Sequence, residues 1–238
     1  MFTLERFFSR IYGFVYLALL VTVFTYGVGP KWSVIPALIL FMILIKHSFK
    51  CAYLSERFSD YAVQCLWFNL SVSPLFAYLL TLAITYKKLK LGALESLALS
   101  ALPLLLVALA YGLAWVCAGK VDTLVVQGDR IEVIEREHSG APWMGGFGAA
   151  LGGLMYPIVQ TYSESMLILV YVLMACGLYM VYYHRQNIAS FKALRARERR
   201  ENKHYTFMEL EHLRSLRARS WVGRGLALVK RVAGRRNG

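Results

Sequence analysis

Apolar residues run in long, nearly unbroken blocks along most of this chain, and polar residues are confined to short breaks between them. The blocks follow neither the period of an amphipathic helix nor the alternation of a half-buried strand, so the solvent they call for is a bilayer. The first block, 11–28, is 18 residues long, enough to cross about 27 Å of hydrocarbon as a helix. Arg6 and Arg10 precede it as in a signal peptide, but no small-x-small cleavage site follows, and the block reads as an uncleaved first span. Gly29-Pro30 then predicts a turn. Residues 32–45 form a short second span interrupted by Pro36, with Trp32 at one interface and Lys46 and His47 at the other. A polar link over 46–60 lies along the surface. The third span is 61–86, the basic turn KKLKLG follows it, and the fourth span is 93–118. Pro36, Pro74, Pro103 and Pro157 predict kinked helices packed together.

The pattern changes at residue 120. VDTLVVQGDRIEVIERE alternates apolar and polar positions about a Gln127-Gly128-Asp129-Arg130 turn, which predicts a β-hairpin over 120–137 outside the bilayer. Residues 143–161 are apolar and about long enough to span, yet rich in glycine. Gly145, Gly148, Ala149, Gly152 and Gly153 place small residues on one helical face, where another helix can approach closely. A re-entrant loop is the competing reading of this segment. The last span is 165–183. The fold class expected is therefore an all-α polytopic membrane protein with about six transmembrane helices, five if 143–161 re-enters. A small β-hairpin insertion and a basic helical C-terminal tail complete it, with a transmembrane domain over 1–183 and the tail over 184–238.

Composition agrees: 58% of residues are hydrophobic and 17% charged, against roughly 45–50% and about 25% in soluble domains. Charge decides orientation. Residues 184–238 hold 15 Lys/Arg and 4 Asp/Glu, supplying +11 of the formal +13. Basic residues close to a span resist export, so the C-terminus is expected in the cytoplasm. With six spans, Arg6, Arg10, Lys46, Lys50, Arg57, Lys120, Arg130 and Arg136 share that side, and Lys31, Lys87, Lys88 and Lys90 are outside. Five spans reverse this balance, so six are favoured, although the exported basic turn violates the rule.

Candidate chemistry is sparse. Cys51, Cys65, Cys117 and Cys176 are far apart, with no C-x-x-C, and read as apolar packing residues; no disulfide, metal site or cofactor is expected. His47, His138, His184, His204 and His212 are scattered. Gln64, Glu95, Gln160 and Glu164 are polar positions within or near spans, and Glu95 and Glu164 suit helix N-termini. Asn69 sits mid-span with Ser71, Ser73 and Pro74, able to hydrogen-bond a neighbouring helix or a substrate.

The tail carries two patterns. Phe207, Leu210, Leu213 and Leu216 form a narrow apolar stripe suited to docking on another protein or to self-association. Trp221, Arg224, Lys230, Arg231, Arg235 and Arg236 belong to a basic amphipathic stretch of the kind that lies on anionic lipid. Nucleic acid is the less favoured polyanion, because no nucleic-acid-binding fold accompanies the charge. No nucleophile, base and orienter converge, so no enzyme is expected. The expected function is that of a multi-pass inner-membrane protein anchoring or regulating a membrane-associated complex through its cytoplasmic tail. A secretion, conjugation, exclusion or immunity setting would suit it. The alternative is a small transporter or channel, with a polar path at Asn69 and the Gly-rich segment.

Overall fold

The computed structural model describes residues 7–119, 124–133, 165–220, 222 and 224. Their helices are α1 (Phe7–Val28), α2 (Val34–Phe49), α3 (Phe58–Leu82), α4 (Ala93–Val116), α5 (Ser165–Tyr183), α6 (Arg185–Glu201) and α7 (Leu210–Arg219). The strands are β1 (Leu124–Gln127), β2 (Arg130–Val133) and β3 (Thr206–Phe207). Among the described residues, five helical stretches are long and apolar enough to cross a membrane: Phe7–Val28, Lys31–Leu54, Phe58–Lys88, Ala93–Val116 and Met166–Tyr183. The sixth span expected over 143–161 lies outside the described residues.

The second span differs from expectation in two ways. The second helix does not stop at residue 45 but continues as a π-helical turn, Lys50–Leu54, which reduces the expected surface link to residues 55–57. Nothing between Lys46 and Leu54 breaks a helix, and Ser48 and Lys50 find partners on α3. Gln64 donates to Ser48 Oγ at 2.8 Å, and Lys50 pairs with Asp60 at 3.4 Å. Pro36 produces no mid-helix break, because it occupies the first turn of α2, where its missing N–H has no carbonyl to meet. Pro74 and Pro103 do lie inside helices, both buried.

At the α1–α2 turn a Cβ on Gly29 would come within 2.9 Å of the Thr25 carbonyl oxygen, so the chain reverses only because nothing is there. At the start of α4, the Glu95 carboxylate accepts the Gly92 N–H at 3.3 Å, as its position near a helix N-terminus predicts.

Helices α3, α4 and α5 pack along their length. Ser73 Oγ donates to the Leu173 carbonyl across the α3–α5 interface. Gly177 is the point of closest approach: a Cβ there would meet Val107 Cγ2 at 3.0 Å and Pro74 Cδ at 3.5 Å. Helices α4 and α5 both end where the tail packs, since Lys192, one helix beyond α5, reaches the carbonyls of Trp115 and Val116 at the end of α4. That end is called the tail end below.

The hairpin forms as expected, with Gln127 opposite Arg130 and Gly128 at φ +61, a conformation glycine adopts without strain. The tail adds a third strand. β3 pairs in parallel with β2, Ile131 opposite Phe207. Its other edge is tied to the α2–α3 link, where Phe58 N–H donates to the Tyr205 carbonyl at 3.0 Å. The helical tail expected to carry the stripe of Phe207, Leu210, Leu213 and Leu216 is therefore interrupted before Leu210. Asn202 takes the left-handed conformation, φ 49, at the end of α6, which is a common way to stop a helix.

Replacing Gly177 with Leu is expected to destabilise the protein by about 2–3 kcal/mol through overpacking against Val107 and Pro74. Thermal unfolding in detergent measures it, and Gly112→Leu, where nothing lies within 4 Å of the added atom, serves as the control.

Candidate functional site

Most of the chain's charge gathers at the tail end, and its first role there is structural. The carbonyls at the end of a helix have no intrahelical donor. At the end of the α2 extension those of Cys51, Ala52 and Ser55 all accept hydrogen bonds from Arg217. Nε meets Ala52 O at 2.7 Å and Nη2 meets Cys51 O at 3.1 Å, with Ser55 O as the third acceptor. The same guanidinium lies over the Phe7 ring, 5.9 Å from its centroid. One side chain thus ties α7 to α1, α2 and the α2–α3 link. Lysine, with a compact ammonium, has no comparable fork. Burial lowers the Arg217 pKa from its usual value, with Glu56 acting against the shift.

Lys192 repeats the device on α4, donating to Trp115 O at 2.7 Å and Val116 O at 3.2 Å. A cation at a helix C-terminus also meets the negative end of the helix dipole. Arg214 forks onto Glu56, Nε to Oε1 at 3.0 Å and Nη2 to Oε2 at 3.1 Å. That hydrogen bonding is the main reason the Glu56 carboxyl lies below its ordinary range, ahead of the opposing desolvation.

Beneath these contacts lies one apolar cluster. Phe207 packs on Phe58 at 5.3 Å and Tyr61 at 5.5 Å between ring centroids, and Phe7 stacks on Tyr61 at 4.9 Å. Leu213 is fully buried, and Leu210 and Ile131 join the same core. The tail stripe of Phe207, Leu210 and Leu213 therefore docks within its own chain rather than waiting for another; only Leu216, half-buried, lies at its edge. The reason is that α1 and α3 present complementary apolar surface at the same end.

The other sequence candidates fall as follows. Asn69 turns its amide onto the carbonyl of Cys65 in its own helix, at 2.8 Å, and Ser73 makes the inter-helix bond instead. Gly145, Gly148, Ala149, Gly152 and Gly153 lie outside the described residues, as do the side chain of Trp221 and residues Lys230, Arg231, Arg235 and Arg236. Arg224 is exposed. Exposed Arg199, Arg200 and Arg219 also face outward and make no ion pair among the described residues, unlike Arg197, which pairs with Glu201 at 2.7 Å. All four cysteines are free, and no group of metal-binding side chains occurs among the described residues.

In comparisons with known proteins, no family model, curated protein or solved structure matches this chain. Function is therefore argued from the site alone. The arrangement at the tail end is a basic surface. Its inner cations, Arg217, Arg214 and Lys192, are committed to the fold; its outer ones, Arg199, Arg200, Arg219 and Arg224, are presented to whatever lies against it. Sequence reading missed the inner set, because a helix-capping arginine looks no different from a solvated one until the helix end it serves is known.

Arg217→Met is expected to cost roughly 2–3 kcal/mol by leaving charge-assisted bonds unmade and buried carbonyls open. Arg217→Lys should recover only part of that, read as faster amide exchange over 210–219. The Glu56–Arg214 pair adds a weak pH dependence. Because the folded carboxyl is depressed, its contribution is complete above the ordinary value of 4.5 and fades as pH falls through the folded value. The pair is exposed, so the effect is small; Glu56→Gln should remove it from an acid titration of α7 exchange.

Proposed function

We propose that this chain is a multi-pass inner-membrane protein that crosses the bilayer six times and holds a rigid basic platform against the cytoplasmic leaflet. The platform anchors or regulates a membrane-associated protein complex. The observation that carries the reading is the folded tail: residues 185–219 form two helices and a strand locked to the bundle end. A segment serving only as a topology signal needs no such structure. Asn69, spent within its own helix, favours this anchoring role over a transport path.

Charge supports the orientation. Arg10, Lys46, Lys50, Arg57 and Arg130 belong to the tail end together with the whole of α6 and α7, while Lys31, Lys87, Lys88 and Lys90 belong to the opposite one. That distribution follows the positive-inside rule if the tail end is cytoplasmic. Six crossings are in keeping with the ends on which the described elements lie: α4 and the hairpin finish at the tail end, and α5 begins at the opposite one. The outward arginines face a leaflet whose anionic headgroups attract each nearby Lys or Arg by about 1 kcal/mol. A protein partner of acidic surface would meet the same charges.

Single cysteines at Lys88 and at Asp129, in a background lacking the four native ones, test the topology with a membrane-impermeant thiol reagent on intact cells. Labelling at position 88 and protection at 129 is the expected result; the reverse would place the platform outside. For the platform itself, Arg199→Glu with Arg200→Glu is expected to leave stability within about 0.5 kcal/mol while abolishing a protein adduct formed by a photo-crosslinker at position 219. An unchanged adduct would count against anchoring through this face.

A further inference from the structure

A groove of about 530 Å³ opens where α4 and α5 run out at the tail end, with the first turn of α6 closing one side of it. That volume falls within the roughly 300–1,000 Å³ of ligand clefts. Its polarity is graded along its length. Ala110, Leu113, Ala114, Leu178 and Val181 make the inner walls apolar, Arg185 and Gln186 stand at the end, and the described lining holds no carboxylate. Ala110 and Ala114, one turn apart on α4, are small enough to leave the space. From Ala110 to Cys117 the α4 wall rises about 10 Å, against roughly 15 Å for one leaflet's half of a hydrocarbon core of about 30 Å. The groove thus has the depth of a single leaflet's acyl region and a cation at its mouth.

Arg185 decides the occupant. Its guanidinium lies over the Tyr182 ring, 4.2 Å from the centroid. Stacking uses a face of the guanidinium and leaves its N–H donors, which lie in the plane, free to point past the ring. Arg185 is exposed and makes no ion pair among the described residues, whereas Arg217, Arg214 and Lys192 nearby are all committed to the fold. A planar fork steadied by an aromatic ring suits two oxygens of a phosphate, and the Gln186 amide adds a neutral donor beside it. A free phosphate would leave the apolar walls wet. An acidic peptide would bring backbone groups against walls that offer them no hydrogen bond. An anionic headgroup carrying an acyl chain meets both ends of the groove at once.

We propose that this groove holds one anionic phospholipid, its phosphate on Arg185 and Gln186 and one acyl chain between α4 and α5. The site is separate from the outward arginines, which meet headgroups without any trough for a chain. It deepens the platform reading and rests on it only for which leaflet supplies the lipid; in detergent the site is the same whichever way the protein faces.

Cys117, exposed and on the groove wall, reports occupancy. Cys51 and Cys65 are buried, so Cys176→Ala leaves Cys117 as the accessible thiol. The full chain with that change, stripped of lipid in detergent, is reacted with a maleimide while phosphatidylglycerol or phosphatidylcholine is added to the micelles. Phosphatidylglycerol is expected to slow the reaction saturably, at about one-fifth or less of the mole fraction that phosphatidylcholine needs, the ratio one cation beside an anionic headgroup supplies. Arg185→Gln removes that preference and Arg185→Lys keeps part of it, while Arg199→Glu with Arg200→Glu leaves it intact. Equal protection by the two lipids, protection by inorganic phosphate alone, or a preference that survives Arg185→Gln would overturn the proposal. So would a Cys117 that is unreactive before any lipid is added, because the chain beyond residue 119 already fills the groove. Reversed labelling at positions 88 and 129 would overturn the orientation and leave this binding untouched.

Discussion

The organisation of this protein depends on one half-buried guanidinium. A helix that ends at an interface leaves carbonyls facing outward, and where apolar side chains crowd them water is a poor remedy. Arg217 supplies three hydrogen bonds to the end of the α2 extension and stacks over Phe7 at the start of α1. With that contact in place, α7 lies where Leu210 and Leu213 close the core, and the preceding β3 lies where Phe207 fills the gap between α1 and α3. Lys192 does for α4 what Arg217 does for α2. Two of the three helices that finish at the tail end, α2 and α4, are thus completed by cations from the tail.

Much of this architecture was legible in the residues. Long apolar blocks gave the helices, because hydrocarbon tolerates little else, and Gly128-Asp129 between alternating segments gave the hairpin. The tail was harder. Phe207 to Leu216 has a three-residue apolar spacing that reads as one helical stripe, but Asn202 and the extended chain after it put Phe207 in a strand. Local pattern carries no information about β3 pairing with β2 some 75 residues earlier, since such pairing is decided by which surfaces the bundle leaves uncovered. The roles of Arg217 and Lys192 were invisible for the same reason. The buried polar residues between α2 and α3 were half visible: Gln64 stood out as an amide in an apolar block, while His47 looked like an interfacial residue until α2 proved to continue past it.

Basic residues consequently divide by distance from the bundle. Those whose side chains reach a helix end, Arg217 and Lys192, act as hydrogen-bond donors; those one helical face away, such as Arg199 and Arg200, act as charge. A net count of the tail merges the two, and a substitution at an inner position would unfold a surface that a substitution at an outer position only recharges.

The parallel strand from the tail also bears on how the molecule comes into being. Phe7 is covered by Phe207, which follows it by 200 residues of chain. During synthesis at roughly 5–20 residues per second, the start of the first helix therefore waits many seconds for the side chain that covers it. In that window the growing chain carries an exposed aromatic patch that a chaperone can hold, and a premature stop before residue 207 leaves that patch open for good.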